Sequence, residues 1–175
     1  MTRTAWTFLI TAMAVFMAAL DNLVVTTALP VIRADFNATL SELEWMVNAY
    51  TLTFAVLLLT GAALGDRFGR AKMLTLTVLI YSVCTGLSAF SQDFLHFALY
   101  RLITGLGVGG VFGLAVALVA DSLPEQARSK ALGTLQALSA VGNITAGLCS
   151  IWMASLVDSG TINGADSWKY LFWIG

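Results

Sequence analysis

Charge is scarce in this sequence. Of its 175 residues only 11% are Asp, Glu, Lys or Arg, against roughly 25% in an average soluble domain, and 58% are hydrophobic. That balance argues against a water-soluble fold. Nine basic residues face ten acidic ones for a net charge of −1, so the chain has no basic field for nucleic acid and no acidic tail for cations. The two cysteines, Cys84 and Cys149, lie in apolar runs without CxxC or Cys/His spacing, which argues against a zinc site or a disulfide framework. The single histidine, His96, sits beside aromatic residues between two apolar stretches and reads as interfacial rather than as a ligand. No Ser/His/Asp set, metal cluster or phosphate loop is visible, so the sequence offers no enzyme, metal or cofactor chemistry.

Long uncharged stretches are present instead, and they predict an all-α membrane protein with one domain over residues 1–175. Six segments follow in order: 6–32, 45–64, 73–91, 97–120, 131–157 and 168–175. A spanning helix needs about 20 apolar residues, so the first five are long enough and the last, WKYLFWIG, is not. The sixth helix is expected to be truncated. Ser41 and Glu44 are spaced as a capping box ahead of the second segment, with Trp45 as an interfacial anchor. A cleaved signal peptide is the competing reading of the first segment, but its apolar run continues past Asp21 to Ile32, beyond the roughly 7–15 residues of a signal core.

Basic residues in short loops set orientation. With the N-terminus in the cytoplasm, the inner segments hold six (Arg3, Arg67, Arg70, Lys72, Arg128 and Lys130) and the outer segments three (Arg33, Arg101 and Lys169). That orientation is expected, in the cytoplasmic membrane.

Two charges interrupt the apolar segments. Asp21 lies inside the first, where an ionised carboxylate costs at least about 2.5–3.5 kcal/mol on insertion scales and normally faces a bundle interior or a wet cavity; it is a candidate proton carrier. Alternatively it touches headgroup water at the outer end of a long helix. Arg101 lies about one turn into the fourth segment, at comparable depth, and is either the partner of Asp21 or a side chain that snorkels to the interface. The run GLGVGG, 105–110, satisfies the dinucleotide fingerprint GxGxxG, yet it lies in an apolar helix rather than after a strand, and the nucleotide reading is rejected. Gly105, Gly109 and Gly113 recur every four residues and mark a helix-packing face. In the loop GDRFGRAK, 65–72, positive-inside anchoring explains the basic residues but not Asp66 or the glycines, which suggest a structured turn.

ALDNLVVTTALP (19–30), EWMVNAYTLTFAVLLLTGAALGDRFGR (44–70) and RLITGLGVGG (101–110) together resemble the N-terminal half of a major facilitator superfamily transporter, most closely the fourteen-helix drug/proton antiporter branch. The resemblance implies an N-terminal six-helix bundle made of two three-helix inverted repeats, with a C-terminal bundle absent from this chain. It places Asp21 and Pro30 in the first-helix motif. Gly65, Asp66, Arg67, Gly69 and Arg70 fall in the cytoplasmic gate motif, with Asp121 as the acid paired to Arg70. Arg101 and Gly105 belong to the fourth-helix motif associated with proton coupling. The sequence departs at Leu23 and Thr26, where the family has threonine and asparagine, and at Ala62, where it has glycine. In helix five Gly142 matches, but Ala146, Gly147, Ser150 and Ile151 break the antiporter signature, so the direction of transport is left open.

The expected function is secondary transport of small molecules, most consistent with proton-coupled drug or metabolite efflux by alternating access, with Asp21 and Arg101 at the coupling site and no cofactor. Its partners would be the lipid bilayer, a small-molecule substrate, protons and a second bundle, with no nucleic acid. The alternatives are a proton-coupled importer and a truncated, non-transporting membrane module.

Overall fold

A computed structural model describes residues 3–174; Met1, Thr2 and Gly175, the last residue of the expected sixth helix, lie outside the described residues. The described chain is helical throughout, with α1 Arg3–Asp35, α2 Leu40–Phe68, α3 Arg70–Ser88, α4 Phe94–Ser122 and α5 Glu125–Asp158, then a single 3-10 turn at Gly164–Asp166 that leads into α6, Ser167–Ile174. Five of these are long and apolar enough to cross a membrane. At about 1.5 Å per residue the 33 residues of α1 reach about 50 Å, well past a hydrocarbon core of about 30 Å. α1, α2, α4 and α5 outrun their apolar segments because polar end residues extend them, whereas α3 is shifted toward the N-terminus relative to the expected 73–91 and ends at Ser88, where Ala89, Phe90 and Ser91 form the turn before α4.

The start of α2 and the α2–α3 connection also differ from the sequence expectation. The capping box of α2 is formed by Thr39 and Glu42, not by Ser41 and Glu44: the Glu42 amide donates to Thr39 Oγ1 at 3.3 Å and the Thr39 amide donates to Glu42 Oε2 at 2.8 Å. Ser41 already lies inside the helix, which starts before the apolar run and carries Trp45 in its second turn. The loop expected at 65–72 is almost entirely helical. Only Gly69 interrupts it, with φ +95°, a conformation that favours glycine; its amide closes α2 on the Gly65 carbonyl at 2.8 Å, and its own carbonyl accepts from Met73 at 3.0 Å as α3 begins.

The bundle divides into two packed groups. α4 meets α2 and α3 most extensively, whereas α1 packs chiefly on α5, with a smaller contact to α4. Glycine sets the distances in the first group. Gly105, Gly109 and Gly113 face α2, where a Cβ would collide with the Tyr50 and Phe54 carbonyl oxygens at the first two positions and stand 2.9 Å from the Leu58 carbonyl at the third. Gly107 and Gly110 face α3 on the other side; at Gly107 a Cβ would lie 2.8 Å from the Thr77 carbonyl. Gly142 brings α5 within reach of α1, where a Cβ would lie 2.6 Å from the Phe16 carbonyl. These approaches make α4 a spine with neighbours on two faces.

At the α6 end, Phe36, Phe97, Trp168 and Phe172 pack edge-on with centroids 5.6–6.2 Å apart, and Trp168 Nε1 donates to Asp35 at 3.0 Å. Lys169 donates to Asp166 at 2.7 Å, a bond that holds its ammonium above its ordinary range. Large apolar side chains such as Leu59, Ile151 and Trp173 point outward, as a lipid-facing surface requires.

Candidate functional site

Asp21 and Arg101 meet in the protein interior. Arg101 Nη1 donates to both Asp21 oxygens at 3.0 Å, and Thr85 Oγ1 on α3 donates to Oδ1 at 3.2 Å. Each side chain of the pair is 1% exposed. Asp21 therefore does not touch headgroup water and Arg101 does not snorkel. Local sequence explains the placement: Ala14, Ala18, Val25 and Ala28 share the buried face of α1 with Asp21, and Phe97, Thr104, Gly105 and Val108 share that of α4 with Arg101. The small residues leave volume for the guanidinium and carboxylate to meet.

The pair has a cover. The Tyr50 ring of α2 lies 4.4 Å from Arg101 Cζ, a cation–π distance, while Arg101 Nε is buried without a hydrogen-bond partner among the described residues. The Tyr50 hydroxyl accepts from Asn22 Nδ2 at 3.4 Å. Beyond Tyr50 opens a pocket of about 160 Å³ where α1, α2, α4 and α5 converge, lined by Ala18, Ala19, Asn22, Tyr50, Phe54, Phe112, Ser139 and Asn143. A wider groove of about 760 Å³ runs between α1, α5 and α6, past Pro30, Met153 and Trp168, and Thr27 and Ser150 bridge α1 and α5 at its edge with hydroxyls 2.8 Å apart.

A second charged cluster lies where α2 ends and α3 begins. Arg70 Nε and Nη2 donate to Asp66 Oδ1 at 2.9 and 2.6 Å; Nη1 donates to the Ala117 carbonyl at 3.0 Å and to Asp121. Gly65 faces this cluster, since a Cβ there would stand 3.1 Å from Arg70 Cγ. Of the five residues expected in the gate, Arg67 does not join: its guanidinium lies 5.4 Å over the Phe68 ring. Gly69 contributes only the chain break.

Sequence reasoning missed Thr85, Tyr50, Asn22, Ser139 and Asn143. The signal for Asn22, Asn143 and Tyr50 was their polarity within apolar runs; Thr85 carried none, because threonine in a helix ordinarily bonds its own preceding turn. Among the described residues no three His, Cys, Asp or Glu side chains are grouped to hold a metal.

Comparison with known proteins places this geometry in context. The family model described as Major Facilitator Superfamily matches residues 11–175. The chain is 32% identical over 169 residues to the uncharacterized MFS-type transporter YfiU of Bacillus subtilis, covering 97% of this chain and 31% of that protein. It is 30% identical over 168 residues to the cis,cis-muconate transport protein of Acinetobacter baylyi, covering 95% and 38%. The chain thus spans well under half the length of these relatives. Among solved structures, the proton:xylose symporter XylE superposes with a TM-score of 0.82 at 20% identity, over 97% of this chain and 41% of that one.

Proposed function

The chain belongs to the Major Facilitator Superfamily, and from that membership we propose that it forms the N-terminal bundle of a secondary transporter that exports small molecules across the cytoplasmic membrane in exchange for protons. A second bundle completes the path, the N-terminus lies in the cytoplasm, and the two bundles expose a central cavity alternately to each side. The observation that carries the coupling reading is the Asp21–Arg101 pair, 1% exposed on both sides. A proton that reaches Asp21 competes with Arg101 for the same oxygens, and neutralising the carboxylate leaves the guanidinium without its counter-ion. Since the pair joins α1 to α4, that exchange changes which helices are held together.

The energy is adequate. One charge crossing roughly 100 mV releases about 2.3 kcal/mol, enough for a gradient of about 50-fold at 1.4 kcal/mol per tenfold. The Arg70, Asp66 and Asp121 cluster would latch the cytoplasmic end of the bundle in one state.

Import is the second reading. It draws on the departures at Ala146, Gly147, Ser150 and Ile151 from the antiporter pattern, and the relatives named as muconate and metabolite transport proteins are compatible with either direction. The test is flux into vesicles that contain the chain together with its second bundle, under imposed pH gradients of each sign. Asp21→Asn should abolish the pH dependence while gel filtration shows intact assembly; unchanged pH-driven flux in that variant would sink the coupling reading, and the sign of the productive gradient separates export from import.

A further inference from the structure

The pocket beyond Tyr50 has a chemistry of its own. The only Asp, Glu, Lys or Arg residues within the five membrane-length apolar segments are Asp21 and Arg101; they neutralise one another, with Tyr50 over the guanidinium. The pocket wall itself carries carboxamides, hydroxyls and rings but no carboxylate, ammonium or guanidinium. An ionic ligand seated there would lose its hydration without meeting a counter-charge on this wall.

Shape adds a second constraint. Tyr50 and Phe54 stack at 15° with centroids 6.1 Å apart, and Phe112 stands edge-on to Phe54 at 77° and 5.9 Å. The three rings suit a flat aromatic body. Polar edges supply the third. Among the described residues the exposed Asn143 carboxamide on α5 bonds to no protein group, and neither does the hydroxyl of the more buried Ser139; opposite them on α1, Asn22 spends one N–H on Tyr50 and keeps its carbonyl oxygen. A carboxamide offers a donor and an acceptor side by side, which match the adjacent C=O and N–H of a lactam.

We propose that Asn22, Tyr50, Phe54, Phe112, Ser139 and Asn143 form one wall of a binding site for an uncharged, planar heteroaromatic molecule with a lactam-type edge. The rings take its faces and Asn143 takes its edge, with Ser139 and Asn22 as further polar partners. The pocket's 160 Å³ is smaller than the roughly 300–1,000 Å³ of complete small-molecule sites, so this wall seats a single ring system and a facing surface encloses the rest. Asn22 and Asn143 both lie near the middle of their helices, the depth at which transporters of inverted-repeat design bind cargo. That the ligand is cargo rests on the transport reading; that it binds does not.

The test is equilibrium dialysis of the chain in lipid nanodiscs, without any gradient, against empty nanodiscs. The probes are the neutral fluorescent lactam 7-amino-4-methylquinolin-2-one, the anion 2-oxoquinoline-4-carboxylate and the cation N-methylquinolinium. The lactam should bind saturably and about tenfold more tightly than either ion, and Asn143→Leu should weaken it by about tenfold, as loss of a paired hydrogen bond predicts. Asn143 is exposed and bonds to no protein group among the described residues, so the substitution leaves packing intact; Asn143→Asp, nearly isosteric, should reverse the preference toward the cation. Equal or tighter binding of an ion by the unaltered chain, or an unchanged lactam affinity in Asn143→Leu, would overturn the proposal. Lactam binding without pH-driven flux in vesicles would instead defeat the transport reading and leave this one standing, and flux without lactam preference would do the reverse.

Discussion

Arg101 and Arg70 both reach across helices to carboxylates, yet the surroundings of the two clusters are opposite. Asp21 and Arg101 are each 1% exposed, whereas Asp66 and Asp121 are 60% and 59% exposed around an Arg70 that is itself 25% exposed. Desolvation makes the inner pair strongly interdependent, because removing one partner strands the other in a medium that cannot solvate it. The outer cluster makes more hydrogen bonds and matters less to stability, since water and salt replace any one of them. The same chemistry is thus strongly interdependent at one depth and readily replaced by water and salt at another.

The comparison breaks most visibly if single substitutions at the inner pair are mild. Asp21→Leu or Arg101→Met alone should each destabilise by about 3–5 kcal/mol, while the double variant recovers most of the loss because no unpaired charge remains; thermal denaturation in detergent reads both. A double variant as unstable as the singles would show that the pair's shape, not its charge, holds the helices. Next in size, Gly109→Val forces α2 off α4, the helix that carries both Arg101 and Asp121, and should lower stability by about 1–3 kcal/mol through overpacking; a cysteine crosslink between the α2 and α4 backbones should slow in parallel. Thr85→Val removes only the third hydrogen bond to Asp21 and should lower stability by about 1 kcal/mol. Smallest of all, Arg70→Gln should leave the melting temperature nearly unchanged in high salt while raising alkylation of a cysteine placed at residue 118, the helix-four position beside the cluster. If Arg70→Gln equals the Asp21 variants in effect, exposure is not what separates the two sites.

Much of this was legible in the sequence because rare residues in an apolar run are conspicuous. Two charges in five long segments drew attention to Asp21 and Arg101, and a four-residue glycine repeat identified the face of α4 that meets α2. The same repeat hid Gly107 and Gly110, which point to α3, since a period reports one face at a time. Thr85 was illegible for a physical reason: Thr11, Thr75 and Thr134 bond the carbonyl four residues back, and nothing local distinguishes the threonine that meets a carboxylate on another helix. Ser41–Glu44 and Thr39–Glu42 satisfy one capping pattern equally. The choice between them follows from the turn at Asn37, whose φ of +49° ends the α1–α2 connection just before Thr39. Arg67 and Arg70 are likewise equivalent as loop cations by composition; the family resemblance is what paired Arg70 with Asp121, and the structure joins those two.

The glycine contacts of α4 also divide the bundle mechanically. Where backbones touch backbones, as between α4 and both α2 and α3, sliding meets carbonyls and Cα atoms directly and the three helices behave as one plate. α1 and α5 form a second plate, joined through Gly142. Between the plates α1 and α4 share a smaller interface, and the hydrogen-bonded ion pair that crosses it is Asp21–Arg101, so the seam of the bundle is riveted by buried opposite charges, whose hold rests on that carboxylate keeping its charge.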